Sequence, residues 1–102
     1  MVTVLEAHVA AGQAEALLAA YQQAVEHLDT GIEETFLLRG TQDPGRWQIV
    51  TVWSSRAALD AMRQSGATPR GVLIFREAGA EPSLTVFEMA ARGKAVSDRI
   101  DK

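Results

Sequence analysis

A chain of 102 residues is the size of a single compact domain. Apolar residues at 47% and charged residues at 23% match globular proteins and exclude a disordered composition. No run approaches the roughly 18 apolar residues that a membrane span needs. Without cysteine there is no disulfide, thiolate nucleophile or thiolate metal site, and a net charge of −3 argues against a nucleic-acid partner. The opening Met1–Glu6 lacks a basic region followed by an apolar run, so no secretory signal is expected and the expected location is the cytoplasm.

The first segment, Val2 to Val9, is β-branched and alternating and predicts a strand. Thr3, Leu5, Ala7 and Val9 lie on one face, and Val2, Val4, Glu6 and His8 on the other. After Gly12, the residues Ala14, Leu17, Leu18, Tyr21, Val25 and Leu28 recur at intervals of three and four, the stripe of an amphipathic helix. Its end is expected at Asp29-Thr30-Gly31, with the glycine as cap. A second strand is predicted over Ile32 to Arg39, with Ile32, Glu34, Phe36 and Leu38 on one face. Asp43-Pro44-Gly45 then supplies hairpin turn residues. The third strand, Arg46 to Trp53, alternates Trp47, Ile49, Thr51 and Trp53 with Val50 and Val52.

Ser54 or Ser55 can cap a second helix running to about Ser65, with Ala58, Leu59 and Met62 inward. Thr68-Pro69 reads as the start of a third helix, with Thr68 as cap and Val72, Phe75 and Arg76 sharing a face; Gly79 would end it. A strand through Val72–Phe75 is the alternative, because four apolar residues in a row permit both. Pro82 opens a last strand, Ser83 to Ala90, with Leu84 and Val86 opposing Thr85, Phe87 and Met89. The domain therefore spans residues 1–91, and residues 92–102 form a polar tail expected to fray.

Strand, helix, strand, strand, helix, strand is the split βαβ order of an α+β, ferredoxin-like domain with a four-stranded antiparallel sheet. Right-handed crossovers put the first and third strands in the centre and both long helices on one face. The strands are nonetheless apolar on both sides, which a monomer would expose. Two sheets packed face to face remove that exposure, so a homodimer is expected.

Several further features carry the resemblance to a family: Leu37-Leu38-Arg39-Gly40 leading into Asp43-Pro44-Gly45-Arg46, Ile49-Val50-Thr51-Val52-Trp53-Ser54-Ser55 before an Ala-rich helix, and the closing strand. Together with the opening strand and helix, these make residues 2–90 resemble the antibiotic biosynthesis monooxygenase (ABM) family of dimeric α/β barrels. The resemblance implies a small aromatic or quinol-type substrate oxidised without metal, flavin or other cofactor, because a deprotonated phenol is electron-rich enough to reduce oxygen itself. The protein then supplies a dry pocket and hydrogen bonds that stabilise the anion. By the same resemblance the pocket lies between helices and sheet, drawing on Leu5 or Ala7, Tyr21, Leu59, Met62, Val72 and Phe75. The haem-degrading branch of the superfamily uses an Asn, a Trp and a His at positions that fall near Ala7, Met62 and Val72. This chain has no Asn at all. A non-catalytic, homodimeric small-molecule-binding domain of the same fold is the alternative.

Among polar residues, His8 and Glu6 share a strand face and could act as a base and its orienter, with Glu88 on the neighbouring closing strand. The competing reading puts that face at the dimer partner or the solvent rim. Arg76 on an inward face requires a carboxylate or a ligand oxyanion, with Glu6, Glu34 or Glu88 as candidates; otherwise it is a rim residue with a solvated head. His8 and Arg76 are thus the candidate catalytic pair. Trp53 can stack on a planar aromatic ligand or close the core. His27 is explained by the dipole of the helix end. No His pair at i, i+4 supports a metal, Ser54-Ser55 has no nucleophile setting, and Gly40, Gly45 and Gly71 form no phosphate loop.

Overall fold

The computed structural model of the protein describes residues 1–95. Strand β1 (Val2–His8) precedes a 3-10 turn and helix α1 (Ala14–Ala24); the hairpin β2 (Ile32–Arg39) and β3 (Arg46–Trp53) follows. Helices α2 (Arg56–Gln64) and α3 (Arg70–Glu77) lead to β4 (Ser83–Phe87). The strands form one antiparallel sheet in the order β2-β3-β1-β4, a ferredoxin-like α+β fold with β3 and β1 central. None of the described helices is long and apolar enough to cross a membrane.

Side-chain alternation in the strands decides what the helices cover. Cross-strand pairs Thr3–Thr51, Leu5–Ile49 and Ala7–Trp47 lie on the helix side, and all but Thr51 are buried. Leu17 of α1 and Phe75 of α3 are fully buried against them, and Leu59 of α2 almost so. Only Leu17 of the α1 stripe reaches this depth. Leu18 and Leu28 stay more than two-fifths exposed, so the buried stripe is narrower than the sequence spacing predicts. The helix also ends sooner. A 3-10 turn at Val25–His27 closes it and Leu28 is extended, leaving Gly31 to the turn before β2 rather than to the cap.

In β2 the predicted face is interrupted. Ile32 pairs with Trp53 but Glu34 pairs with Val52, so Glu33 is an extra residue that shifts the phase. Such a bulge places two residues opposite one and reverses the faces beyond it. Ile32, Thr35 and Leu37 therefore turn toward the helices, and Glu34, Phe36 and Leu38 toward the open side.

Helix starts are partly as expected. Ser55 Oγ accepts the amide of Ala58 at 3.0 Å and caps α2. Pro69, not Thr68, occupies the cap position of α3, and its carbonyl accepts the amides of Val72 and Leu73. Residues 72–75 are helical, not extended. Gly79, at φ +75°, ends α3: its amide donates to Arg76 O, and that of Ala80 donates to Phe75 O. These paired bonds form a Schellman motif, whose left-handed residue favours glycine.

Strand β4 stops at Phe87, short of the expected Ala90, because only Ser83–Phe87 pair with β1. The chain then returns toward the opposite edge, where Arg92 sits 3.5 Å from both Glu33 and Glu34 of β2. Arg92 is thus engaged with the sheet. Residues 96–102 of the expected tail lie outside the described residues. The open face presents Phe36, Leu38 and Phe87, each about half exposed, around Val4 and Val50.

Candidate functional site

Helix α3 approaches the sheet closely because residue 71 has no side chain: a Cβ there would meet Leu5 Cδ1 at 2.6 Å. Helix α2 packs less completely. Leu59 is buried, but Met62, one turn later on the same side, is only half-buried. The unfilled space between α2, α3 and the sheet is a cavity of about 240 Å³.

Its floor is the sheet, with Thr3 and Leu5 from β1 and Thr51 and Trp53 from β3. Trp53 is 6% exposed, and its indole Nε1 donates to Thr3 Oγ1 at 3.1 Å. That bond leaves the Thr3 hydroxyl hydrogen free to donate. The walls are Leu59, Met62 and Val72, and the surface is mainly apolar. Three charged residues form the exposed rim: Asp29, Arg63 and Arg70. Arg70 is tied down twice, donating to His27 O at 2.8 Å and to Asp29 Oδ1 at 3.1 Å. A small adjoining recess of about 50 Å³, which Tyr21 lines, shares Asp29, Ile32, Thr51, Arg70 and Gly71 with the cavity.

Of the residues singled out from the sequence, Leu5, Trp53, Leu59, Met62 and Val72 meet around this cavity, whereas Ala7, the alternative to Leu5, is buried in the core and does not line it. Tyr21 does not reach it; its hydroxyl donates to Thr35 Oγ1 at 3.4 Å in the adjoining recess. Phe75 is filled into the core, fully buried. Arg76 is the clearest correction. It is exposed and grips Glu81 with both Nε and Nη2 at 2.9 and 3.0 Å, because the turn after Gly79 brings Glu81 back alongside α3. Its partner is therefore none of Glu6, Glu34 or Glu88, and it points away from the cavity. The Arg76 guanidinium in turn holds the Glu81 carboxyl below the usual range.

His8 also lies elsewhere. It belongs to the open face, is exposed, and has Nε2 3.5 Å from Asp43 Oδ2 rather than an orienting Glu6. Glu6 is engaged by Arg46 at 2.9 Å and Gln48 at 2.7 Å, side chains that stand on β3 in the same face. These two hydrogen bonds, Arg46 first, lower the Glu6 pKa. Glu88 cannot join them, since Ser83 is the β4 residue opposite Glu6 and Glu88 falls beyond the other end of the strand. Among the described residues no cluster of three His, Asp or Glu side chains could hold a metal ion.

Sequence reading missed Arg63, Arg70 and Asp29. They stand on three separate segments, the turn after α1, the end of α2 and the start of α3, and only the packing of these segments brings them to one rim.

The family model described as antibiotic biosynthesis monooxygenase matches residues 1–71. No curated protein matches the chain. Among solved structures, a Deinococcus radiodurans protein assigned to antibiotic biosynthesis monooxygenases is 20% identical with a TM-score of 0.59, over 97% of this chain and 99% of that one. A Bacteroides thetaiotaomicron protein of the same assignment is 16% identical with a TM-score of 0.66, over 95% of each chain. A mutant of MhuD, with two manganese protoporphyrin IX molecules bound per active site, is 22% identical with a TM-score of 0.66, over 93% of this chain and all of that one. At these identities the likeness is one of fold. The residues here do not fit a porphyrin: no histidine lines the cavity, and its volume of about 240 Å³ is less than a macrocycle of four pyrrole rings requires.

Proposed function

We propose that this chain, which belongs to the antibiotic biosynthesis monooxygenase family, admits a small aromatic, quinol-type compound to the cavity between α2, α3 and the sheet and oxidises it with molecular oxygen. The observation that carries the reading is the cavity itself, apolar on its walls, with Trp53 and two hydroxyls on its floor. Its volume is just under the roughly 300–1,000 Å³ of drug-sized sites, which favours a compact ligand.

The chemistry follows from what such a lining can do. A phenol ionises near pH 10 in water, and hydrogen bonds to the oxyanion lower that value. Thr3, already accepting from Trp53, and Thr51 are the floor donors for such an oxygen. The indole face of Trp53 offers a stacking surface, and the dry walls of Leu59, Met62 and Val72 exclude water from the electron-rich ring. In a monooxygenation without an outside reductant the substrate supplies every electron. A quinol and one O2 become a hydroxyquinone and one water: one oxygen atom forms the new ring C–O bond, and the second leaves as water with two hydrogens that the quinol gives up as it is oxidised to the quinone.

A second reading, a binding domain without catalysis, is favoured by one feature. The single carboxylate on the lining, Asp29, is already held by Arg70, so no free base faces the ligand. Both readings include a homodimer through the open sheet face, supported by Phe36, Leu38 and Phe87, which a second copy would cover.

Oxygen uptake with a panel of quinols and polycyclic phenols, corrected for spontaneous oxidation, separates the two. The oxygenase gives saturable uptake that a cavity-filling Val72→Trp variant abolishes while its far-UV circular dichroism is unchanged. No uptake with compounds that demonstrably bind would leave the binding domain as the function.

A further inference from the structure

The rim of the cavity has an unbalanced charge. Asp29 and Arg70 neutralise each other at 3.1 Å, and the Arg70 guanidinium is further held by the carbonyl of His27. Arg63, on the last turn of α2, also lines the cavity, yet among the described residues it has neither a carboxylate within 4.0 Å nor a hydrogen-bond acceptor. Asp60 lies one turn earlier on the same helix and does not pair with it. Arg39, Arg46, Arg70, Arg76 and Arg92 have acceptors within the chain; Arg56, at the start of α2, has none among the described residues either, but it does not line the cavity. Among the described residues, Arg63 is thus the unpaired guanidinium that lines the apolar, aromatic-sized space.

We infer that the cavity selects aromatic acids: the ring occupies the apolar chamber and a carboxylate at its edge meets Arg63 at the rim. This rests on the reading of the cavity as an aromatic-binding site and adds to it the charge of the ligand. The planar fork of a guanidinium matches a carboxylate through two parallel hydrogen bonds, a geometry an ammonium cannot reproduce. The neighbouring cavity surface is apolar, so the pair is less screened there than on an open surface. Asp29 does not oppose it, because its charge is already met by Arg70. The oxygen on the substrate that Thr3 and Thr51 receive and the carboxylate that Arg63 receives are therefore different groups on one molecule, one at the floor and one at the exposed rim.

The test compares two ligands of one shape, 2-naphthoate and its neutral amide 2-naphthamide, by titration calorimetry at pH 7 with wild-type protein, Arg63→Gln and Arg63→Lys. The wild type should bind the acid about tenfold tighter than the amide or better, as expected for one charge-assisted pair. Arg63→Gln should erase that preference while keeping affinity for the amide, and Arg63→Lys should keep part of it. Equal binding of acid and amide by the wild type overturns the inference and leaves the aromatic-binding reading standing. A preference that persists in Arg63→Gln also overturns it, assigning the charge recognition to another group. Failure of both ligands to bind the wild type overturns the aromatic-binding reading and this inference together.

Discussion

Replacing Thr3 by Val tests the polar floor of the cavity through a single atom. The side chains have nearly the same shape, so no void opens and the change isolates the hydroxyl. Thr3 is 7% exposed and its oxygen accepts the indole N–H of Trp53 at 3.1 Å, so the substitution orphans a buried donor. An unsatisfied buried group costs about 1–3 kcal/mol. The added methyl recovers part of this in apolar surroundings, and a net loss of about 1–2 kcal/mol is expected. In a domain of this size that corresponds to about 4 °C or more in Tm. Urea unfolding followed by far-UV circular dichroism measures it, and the cycle with Trp53→Phe isolates the bond. Phenylalanine has no N–H to orphan, so Thr3→Val should cost about 1 kcal/mol less in the Trp53→Phe background. The same cost in both backgrounds would show that the hydroxyl does not support Trp53, and the reasoning would fail.

Other outcomes follow from the charges and the open face. Glu6 and Glu81 have folded pKa values lowered by Arg46 and Arg76, so their contribution is complete above the ordinary glutamate value of 4.5 and is lost as pH falls through the lower folded values. Stability should therefore decline below about pH 4.5, and Glu6→Gln should flatten that acid limb in pH-dependent urea unfolding. Arg70→Ala removes exposed ties to His27 and Asp29, worth under about 1 kcal/mol, and leaves the Asp29 carboxylate uncompensated at the cavity rim; calorimetry should show weakened affinity for anionic aromatic ligands. Leu38→Glu, on the open face, should shift the sedimentation mass from two chains to one, and a wild type that sediments as one chain at micromolar concentration would remove the dimer.

The fold was legible in the sequence because strand alternation and helix spacing are local. The β1 and β3 faces, the Ser55 cap and the central placement of both strands follow from residues read in order. What escaped reading depends on long-range placement. The bulge at Glu33 has no turn residue to mark it, and it inverts β2 so that Ile32 no longer shares a face with Phe36 and Leu38. Five wall and floor residues of the cavity were readable, because Leu59, Met62 and Val72 lie on helix faces turned to the sheet and Leu5 and Trp53 on the strand faces beneath them. Phe75 lies on such a face as well, yet whether an inward side chain fills the core or lines a space depends on how closely its helix approaches the sheet, which Gly71 decides for α3. Arg76 misled because its helical spacing is inward while the Schellman turn delivers Glu81 to its other side. His8 shares its strand with Leu5, but one residue of alternation separates the cavity floor from the opposite face of the sheet.

The central claim is that the cavity between α2, α3 and the sheet binds a small aromatic ring, and methyl NMR during titration with 1,4-dihydroxynaphthalene under anaerobic conditions tests it most directly. Saturable shifts at the methyls of Leu5, Leu59, Met62 and Val72, with Leu18, Leu38 and Leu73 unmoved, are the predicted result. Shifts confined to Leu38 and its neighbours on the open face, or none at any methyl, would contradict it.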